Sequence, residues 1–399
     1  MHDVPRFGLI LLLVADALLA SMVISRFSAR FAVPGPAIFL LLAAGTASAF
    51  GSLHGLSVLA DQRIVTVALA LILFDGGMHI GLRRLRPILA GVAWLGTAGT
   101  LATAAATAAA AHGLLGFGWR ESLLLGTALA PTDPAVVFSV LGRREVSGRT
   151  GTLLEGESGA NDPVGIALMV SVLGATGGGW SAVGGAVGEF ALQMSVGAAV
   201  GIAGGWLLVR GSLVSLPARA LYPLRAVALA LLVYGAAAAL HGSGFLAVFV
   251  AGIVAGDADV PHRREVRGFT SVLGTLGEIV AFTVLGLSVS LHDLVRGHVL
   301  WPALALTALL VLAVRPILVG AVLWPIRLSR GERVFVLWSG LKGAVPILLG
   351  TYLLTAHEPG AARSYHVIVV VVAVSVLVQG TLVPQVARWC RVPMRRIGE

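Results

Sequence analysis

Residues 130–138 read APTDPAVVF and lie inside an otherwise apolar run that begins near residue 121. Pro131 and Pro134 each lack a backbone donor and clash with the carbonyl four residues back, so no regular helix is expected through Thr132 and Asp133. Residues 340–350, GLKGAVPILLG, repeat the pattern: Pro346 displaces the carbonyl of Lys342, and Gly340 and Gly343 loosen the same turn. Irregular backbone at bilayer depth survives only where it lines a cavity or is buried in protein. Paired interrupted segments in corresponding places of two halves point to the substrate site of a secondary transporter.

The remainder of the chain supplies the bilayer. Of 399 residues, 57% are hydrophobic and only 12% charged, which is the composition of a polytopic membrane protein. Stretches long enough to span fall at about 7–25, 34–51, 64–80, 87–111, 121–141, 152–174, 182–209, 222–240, 243–256, 270–290, 299–325, 333–356 and 365–387. That reading has thirteen spans, or twelve if the eighth and ninth, separated only by HGSG, are one. Assigning alternate loops to opposite sides puts 21 arginines on one side and 5 on the other. The positive-inside rule therefore supports thirteen spans, an outside N-terminus and a cytoplasmic C-terminus. The formal charge of +9 is then topological and does not indicate nucleic-acid binding. The first segment carries Asp16 and is followed by Arg26 and Arg30, which reads as a retained helix rather than a signal peptide. A lone Cys390 excludes an internal disulfide, and no soluble regulatory domain is expected.

The ionisable groups within spans are Asp16, Asp75, Asp133, Glu157, Asp162, Glu278, Arg315 and Lys342, with Glu155 at a helix start. Such groups are functional candidates by default. Half-helix ends carry partial charges, so an acid at one break and a base at the other compensate them, and Asp133 and Lys342 fit those roles. Lys342 is the only lysine beside 27 arginines, and lysine can release a proton where arginine does not. In GESGANDPVG, residues 156–165, Ser158 and Asp162 share one helix face and Glu157 and Asn161 the adjacent one. A hydroxyl and a carboxylate are hard oxygen ligands suited to a small cation. Glu157 needs a partner, and Arg315, in VLAVRPILVG at 311–320, is the only arginine deep within a span.

At these residues the sequence resembles the monovalent cation:proton antiporter family, on the branch of bacterial NhaP-type and animal sodium/proton exchangers. LLEGESGANDPVGIALM (153–169) is similar to that branch's Glu-Ser-x-x-Asn-Asp helix, APTDPAVV and GLKGAVP to its two broken helices, and Arg315-Pro316 to its buried arginine. LILFDGGM (71–78) and GSGFLAVFVAG (242–252) also look familial. The resemblance implies an all-α, NhaA-like fold of about thirteen helices, with inverted repeats and two crossed broken helices. The repeats would run over about 7–174 and 222–387, joined by a linking helix at about 182–209, all within one transmembrane domain. It also implies a separate dimerisation region, a homodimer in the cytoplasmic membrane, and exchange of Na⁺ or K⁺ for H⁺ without enzymatic chemistry or a cofactor.

By matching motif positions, Asp162 would be the shared cation and proton carrier, with Ser158 and Thr132 as further ligands of the transported cation. Asn161 would brace the site, Asp133 would balance helix ends, and Glu157 and Arg315 would form a structural ion pair. Asp75 would approach from the third span. Lys342 departs from the family's usual arginine, and the runs NDP and GAVPI lean toward a potassium-transporting subgroup. Relatives with Asp in place of Asn161 form the electrogenic branch, so the single free carboxylate here implies electroneutral 1:1 exchange. Two other readings compete. GESG at 156–159 fits the Gly-x-Ser-Gly of intramembrane serine proteases, but His241, His298, His357 and His366 all fall at span ends or in loops. A passive cation channel would need no proton counterflow.

Overall fold

A computed structural model of the chain describes residues 12, 15, 18–24, 33–49, 57–141, 144–146, 148–175, 179–212, 214–258, 261–296 and 299–396. Asp16 and His298, with most of the first expected span, lie outside the described residues. In a bilayer every backbone polar group must be satisfied within its own segment, and the apolar runs accordingly form helices. They are α1 (Gly35–Ala49), α2 (Val58–Leu85), α3 (Leu89–Trp94), α4 (Thr100–Leu115), α5 (Trp119–Ala128), α6 (Pro134–Leu141), α7 (Gly148–Gly174), α8 (Gly179–Ser212) and α9 (Leu221–Ala239). The series continues with α10 (Gly244–Gly256), α11 (Arg263–Leu287), α12 (Leu291–Arg296), α13 (Leu300–Leu309), α14 (Gly320–Val322), α15 (Arg330–Trp338), α16 (Ala344–Thr355), α17 (Ala361–Val374) and α18 (Val383–Trp389).

Among the described residues, six helical runs are long and apolar enough to cross a membrane, and α1, α10 and α16 are shorter apolar helices. The longest run, Val58–Leu115, covers two of the expected spans; it turns at Gly81, where φ is 65°, and at a 3₁₀ turn over Arg86–Ile88. The eighth and ninth spans are separate helices. Between α9 and α10 the chain passes through His241 with φ of 58°, and Ser243 caps the new helix by accepting from the Leu246 amide. The hydropathy pattern did not announce one feature outside the helices. Arg144–Val146 (β1) pairs antiparallel with Met394–Arg396 (β2), tying the segment after α6 to the C-terminal tail.

Packing divides the helices into two groups. In a panel, α2 lies along α10 and α11, with α8 and α9 against α10 and α1 against α11. Backbones approach closely there because side chains are small: a Cβ at Gly77 or Gly252 would meet the carbonyl of Phe249 or Phe74 on the facing helix. In a core, α4 packs on α5, α16 and α13 on α17, and α7 on α5. The groups meet where α7 touches α8 and where α2 touches α7 and α16. Three widened π turns, Leu95–Gly99, Leu310–Val319 and Ser375–Gly380, occur in the core, the second around Pro316.

Candidate functional site

The two breaks are real and adjacent. Helix α5 ends at Ala128 and α6 begins at Pro134, while α15 ends at Trp338 and α16 begins at Ala344. Each proline that begins or follows the break sits in a first helical turn, where the missing amide has no intrahelical duty. The non-helical segments touch directly, the Asp133 amide donating to the Leu341 carbonyl at 2.8 Å. Four half-helix ends therefore converge in one buried place, each with orphan backbone groups to satisfy.

Charged side chains satisfy them across the pair of breaks. Lys342 Nζ donates to the carbonyls of Ala130 and Pro131 at 3.2 and 3.1 Å, capping the end of α5 from the other break. The Asp133 carboxylate accepts from the Ala135 amide at 2.8 Å and lies within reach of the amides of Val136 and Ala344, so it serves the N-termini of both α6 and α16. Arg315 closes the set by donating to the Leu337 and Val336 carbonyls at 2.9 and 3.3 Å, at the end of α15. Negative charge at N-termini and positive charge at C-termini is the arrangement the helix dipoles favour. Two glycines make room for it: a Cβ at Gly343 would overlap the Asp133 carboxylate, and one at Gly340 would overlap the Arg315 guanidinium. Their reason for being glycine is this close approach more than a loosened turn.

Helix α7 crosses beside the breaks. Asn161 is tied to Thr132 twice, accepting from its amide at 3.2 Å and donating to its hydroxyl at 2.7 Å. The Ser158 hydroxyl donates to the Thr132 carbonyl. Glu157 receives Arg315 Nη2 at 2.9 Å, with both side chains buried. Asp162 is 8% exposed, and its Oδ1 has no hydrogen-bond donor among the described residues. The structure thus brings together Thr132, Asp133, Ser158, Asn161, Asp162 and Lys342 on one side of α7 and Glu157 with Arg315 on another.

Asp75 does not join this cluster. It sits on α2 with its carboxylate against Gly274 of α11 and 3.3 Å from His79 Nδ1. Glu278, on α11, is part-buried. The sequence reading also passed over a polar relay behind the second break. The Lys342 amide donates to Ser375 Oγ at 3.0 Å, Ser375 donates to Gln379 Oε1 at 3.0 Å, and Gln379 Nε2 donates to the Trp338 carbonyl at 2.5 Å. Ser375 and Gln379 are four residues apart in an apolar run, so the same-face rule applied to α7 would have found them.

Thr132, Ser158 and Asp162 offer hydroxyl, carbonyl and carboxylate oxygens, a donor set that fits a small hard cation as cargo. Ser158 spends its hydroxyl on the Thr132 carbonyl rather than on a catalytic base.

The profile of the family described as sodium/hydrogen exchanger, transmembrane, matches residues 14–389. The chain is 35% identical over 393 residues to the K(+)/H(+) antiporter NhaP of Alkalimonas amylolytica, covering 96% of this chain and 67% of that protein. It is 34% identical over 387 residues to the K(+)/H(+) antiporter NhaP2 of Shewanella sp. strain MR-4, again covering 67% of the relative. Against the Na(+)/H(+) antiporter NhaP of Pseudomonas aeruginosa the identity is 30%, over 82% of this chain and 81% of that one. Among solved structures, the sodium proton antiporter MjNhaP1 from Methanocaldococcus jannaschii at pH 8 superposes with a TM-score of 0.80 and 19% identity, covering 98% of this chain and 100% of that one.

Proposed function

We propose, from the premise that this chain belongs to the transmembrane sodium/hydrogen exchanger family, that it exchanges a monovalent cation, Na⁺ or K⁺, for H⁺ with Asp162 as the shared carrier. The observation that carries this is a buried carboxylate oxygen with no donor, set beside two helix breaks whose own charges are already matched. A carboxylate left over in such a place can hold a proton or a cation in turn. Ser158 and Thr132 add ligands, and Asn161 holds Thr132 in position. Asp133 and Lys342 neutralise half-helix ends, and Glu157 with Arg315 ties α7 to the π segment Leu310–Val319, from which Arg315 also reaches the end of α15. Asp75, set against His79 and Gly274, supplies no ligand in this reading. Family membership sets the chain among transporters rather than enzymes, which removes the protease reading of Ser158. No resident cofactor belongs to this reading, since the ions are cargo.

Alternating access then amounts to motion of the core against the panel, with the site carried by the core. The finer architecture belongs to the same proposal: thirteen spans, an outside N-terminus, repeats over 7–174 and 222–387 about the helix at 182–209, and a homodimer in the cytoplasmic membrane. The arginine asymmetry supports the orientation. K⁺ is the first cargo to test, because the relatives at 35% and 34% identity carry that ion in their names and the one at 30% carries Na⁺.

The test is purified protein in liposomes under an imposed pH gradient, challenged with Na⁺, K⁺ or Li⁺ chloride. Wild type should dissipate the gradient with at least one salt. Asp162→Asn should abolish this while eluting as a monodisperse folded protein. Cation-dependent proton movement in Asp162→Asn would sink the carrier assignment, and flux without proton counterflow in wild type would indicate a channel.

A further inference from the structure

One cleft is lined by no residue of either break. It measures about 590 Å³ and lies on the arginine-rich side of the core, between the start of α3, the start of α7 and the loop after α14. Its walls are Pro87, Ile88, Trp94, Leu153, Pro325 and Ile326, and two guanidinium groups, Arg149 and Arg327, line it as well. A cleft with an apolar floor and two cations suits an amphiphile with an anionic head.

Three observations narrow the occupant. Neither the Arg149 nor the Arg327 guanidinium has a hydrogen bond or an ion pair among the described residues. The neighbouring carboxylate of Glu332 is already engaged, accepting from Thr150 Oγ1 at 2.7 Å and from the Ser329 amide at 2.9 Å. Large apolar side chains in and next to the lining are exposed, namely Leu89, Trp94 and Trp324, and Arg333 stacks over the Trp324 ring at 5.6 Å. Exposed tryptophans beside arginines mark the level of the headgroups, and basic pockets between helices on the cytoplasmic side recognise anionic lipid heads.

We infer that this cleft binds one anionic phospholipid, its phosphodiester held between Arg149 and Arg327 and an acyl chain laid along Trp94 and Ile326. Free phosphate would leave the apolar walls uncovered and fits less well. The seat bears on transport because Leu153 belongs to α7, which carries Ser158 and Asp162, and because α3 runs into the π turn whose Gly96 packs on Ala160. A lipid wedged there would hold α3 against α7.

The experiment measures the melting temperature of the purified full chain in detergent while dioleoyl phosphatidylglycerol, dioleoyl phosphatidylcholine or inorganic phosphate is titrated. Phosphatidylglycerol should give an upward, saturating shift, and the other two should give none. The variant with Arg149→Gln and Arg327→Gln should lose that shift while keeping the wild-type melting temperature in phosphatidylcholine. A control variant with Arg210→Gln and Arg219→Gln removes equal charge elsewhere and should keep it. An unchanged shift in the first variant, an equal loss in the control, or equal effects of phosphatidylcholine or phosphate would each overturn the inference. Because the readout is lipid binding, it stands or falls separately from the carrier role of Asp162.

Discussion

Removing either member of the Glu157–Arg315 pair should be among the more damaging single changes available in this protein. Their side chains are 5% and 8% exposed with N···O of 2.9 Å, so the survivor is left as a desolvated charge. Breaking a buried pair typically costs about 3–5 kcal/mol. The two ends are not equivalent. After Glu157→Gln the guanidinium keeps the Leu337 and Val336 carbonyls, so the loss should lie near the lower limit, about 3 kcal/mol. Arg315→Gln also strips the cap from α15, and the loss should reach about 5 kcal/mol. The double variant removes both orphan charges, so it should lose about 5 kcal/mol rather than the additive sum of about 8. The assay is equilibrium unfolding in mixed micelles by dodecyl sulfate titration of all four proteins. Strictly additive losses would show that the pair does not act as a unit and would refute the reasoning.

Other outcomes follow from the same geometry. Lys342→Arg should keep exchange, since a guanidinium can also serve the Ala130 and Pro131 carbonyls, and an unchanged pH profile would confine Lys342 to capping; a shifted profile would show that it titrates during transport. Exchange in liposomes should not respond to an imposed membrane potential, which is worth about 2.3 kcal/mol per charge per 100 mV, because one carboxylate trades one cation for one proton; acceleration or reversal with potential would require a second titrating group. Glu358, in the loop after α16, is held below the usual glutamate range by Arg120, which donates at 2.6 and 2.8 Å. With its folded pKa depressed, its stabilising effect is present above the unfolded value and disappears as pH falls through the folded one. The arginine is 48% exposed, so Glu358→Gln should cost at most about 1 kcal/mol at pH 7 and nothing once wild-type Glu358 is protonated; an equal cost at both pH values would discount the ion pair.

The sequence by itself determined the class, the broken helices and the identity of the charged groups. Membrane depth forbids unpaired backbone and unpaired charge, so prolines at 131, 134 and 346, glycines at 340 and 343, and the few ionisable residues inside spans stand out against a sparse background. Helical spacing likewise placed Ser158 and Asp162 on one face. Which charge serves which end was beyond its reach, because that depends on contacts between separate helices, 211 positions apart for Lys342 and Pro131 and 22 for Arg315 and Leu337. Only the tertiary structure brings Lys342 to the carbonyls of the first break, Arg315 to those of the second, and Asp133 between two N-termini. It also directs Asp75 toward Gly274 and His79 and gathers Arg149, at the start of α7, and Arg327, in the loop after α14, into one cleft. Local chemistry restricts what each residue can tolerate, but the partner that satisfies it is chosen by the packing of whole helices, which no single segment encodes.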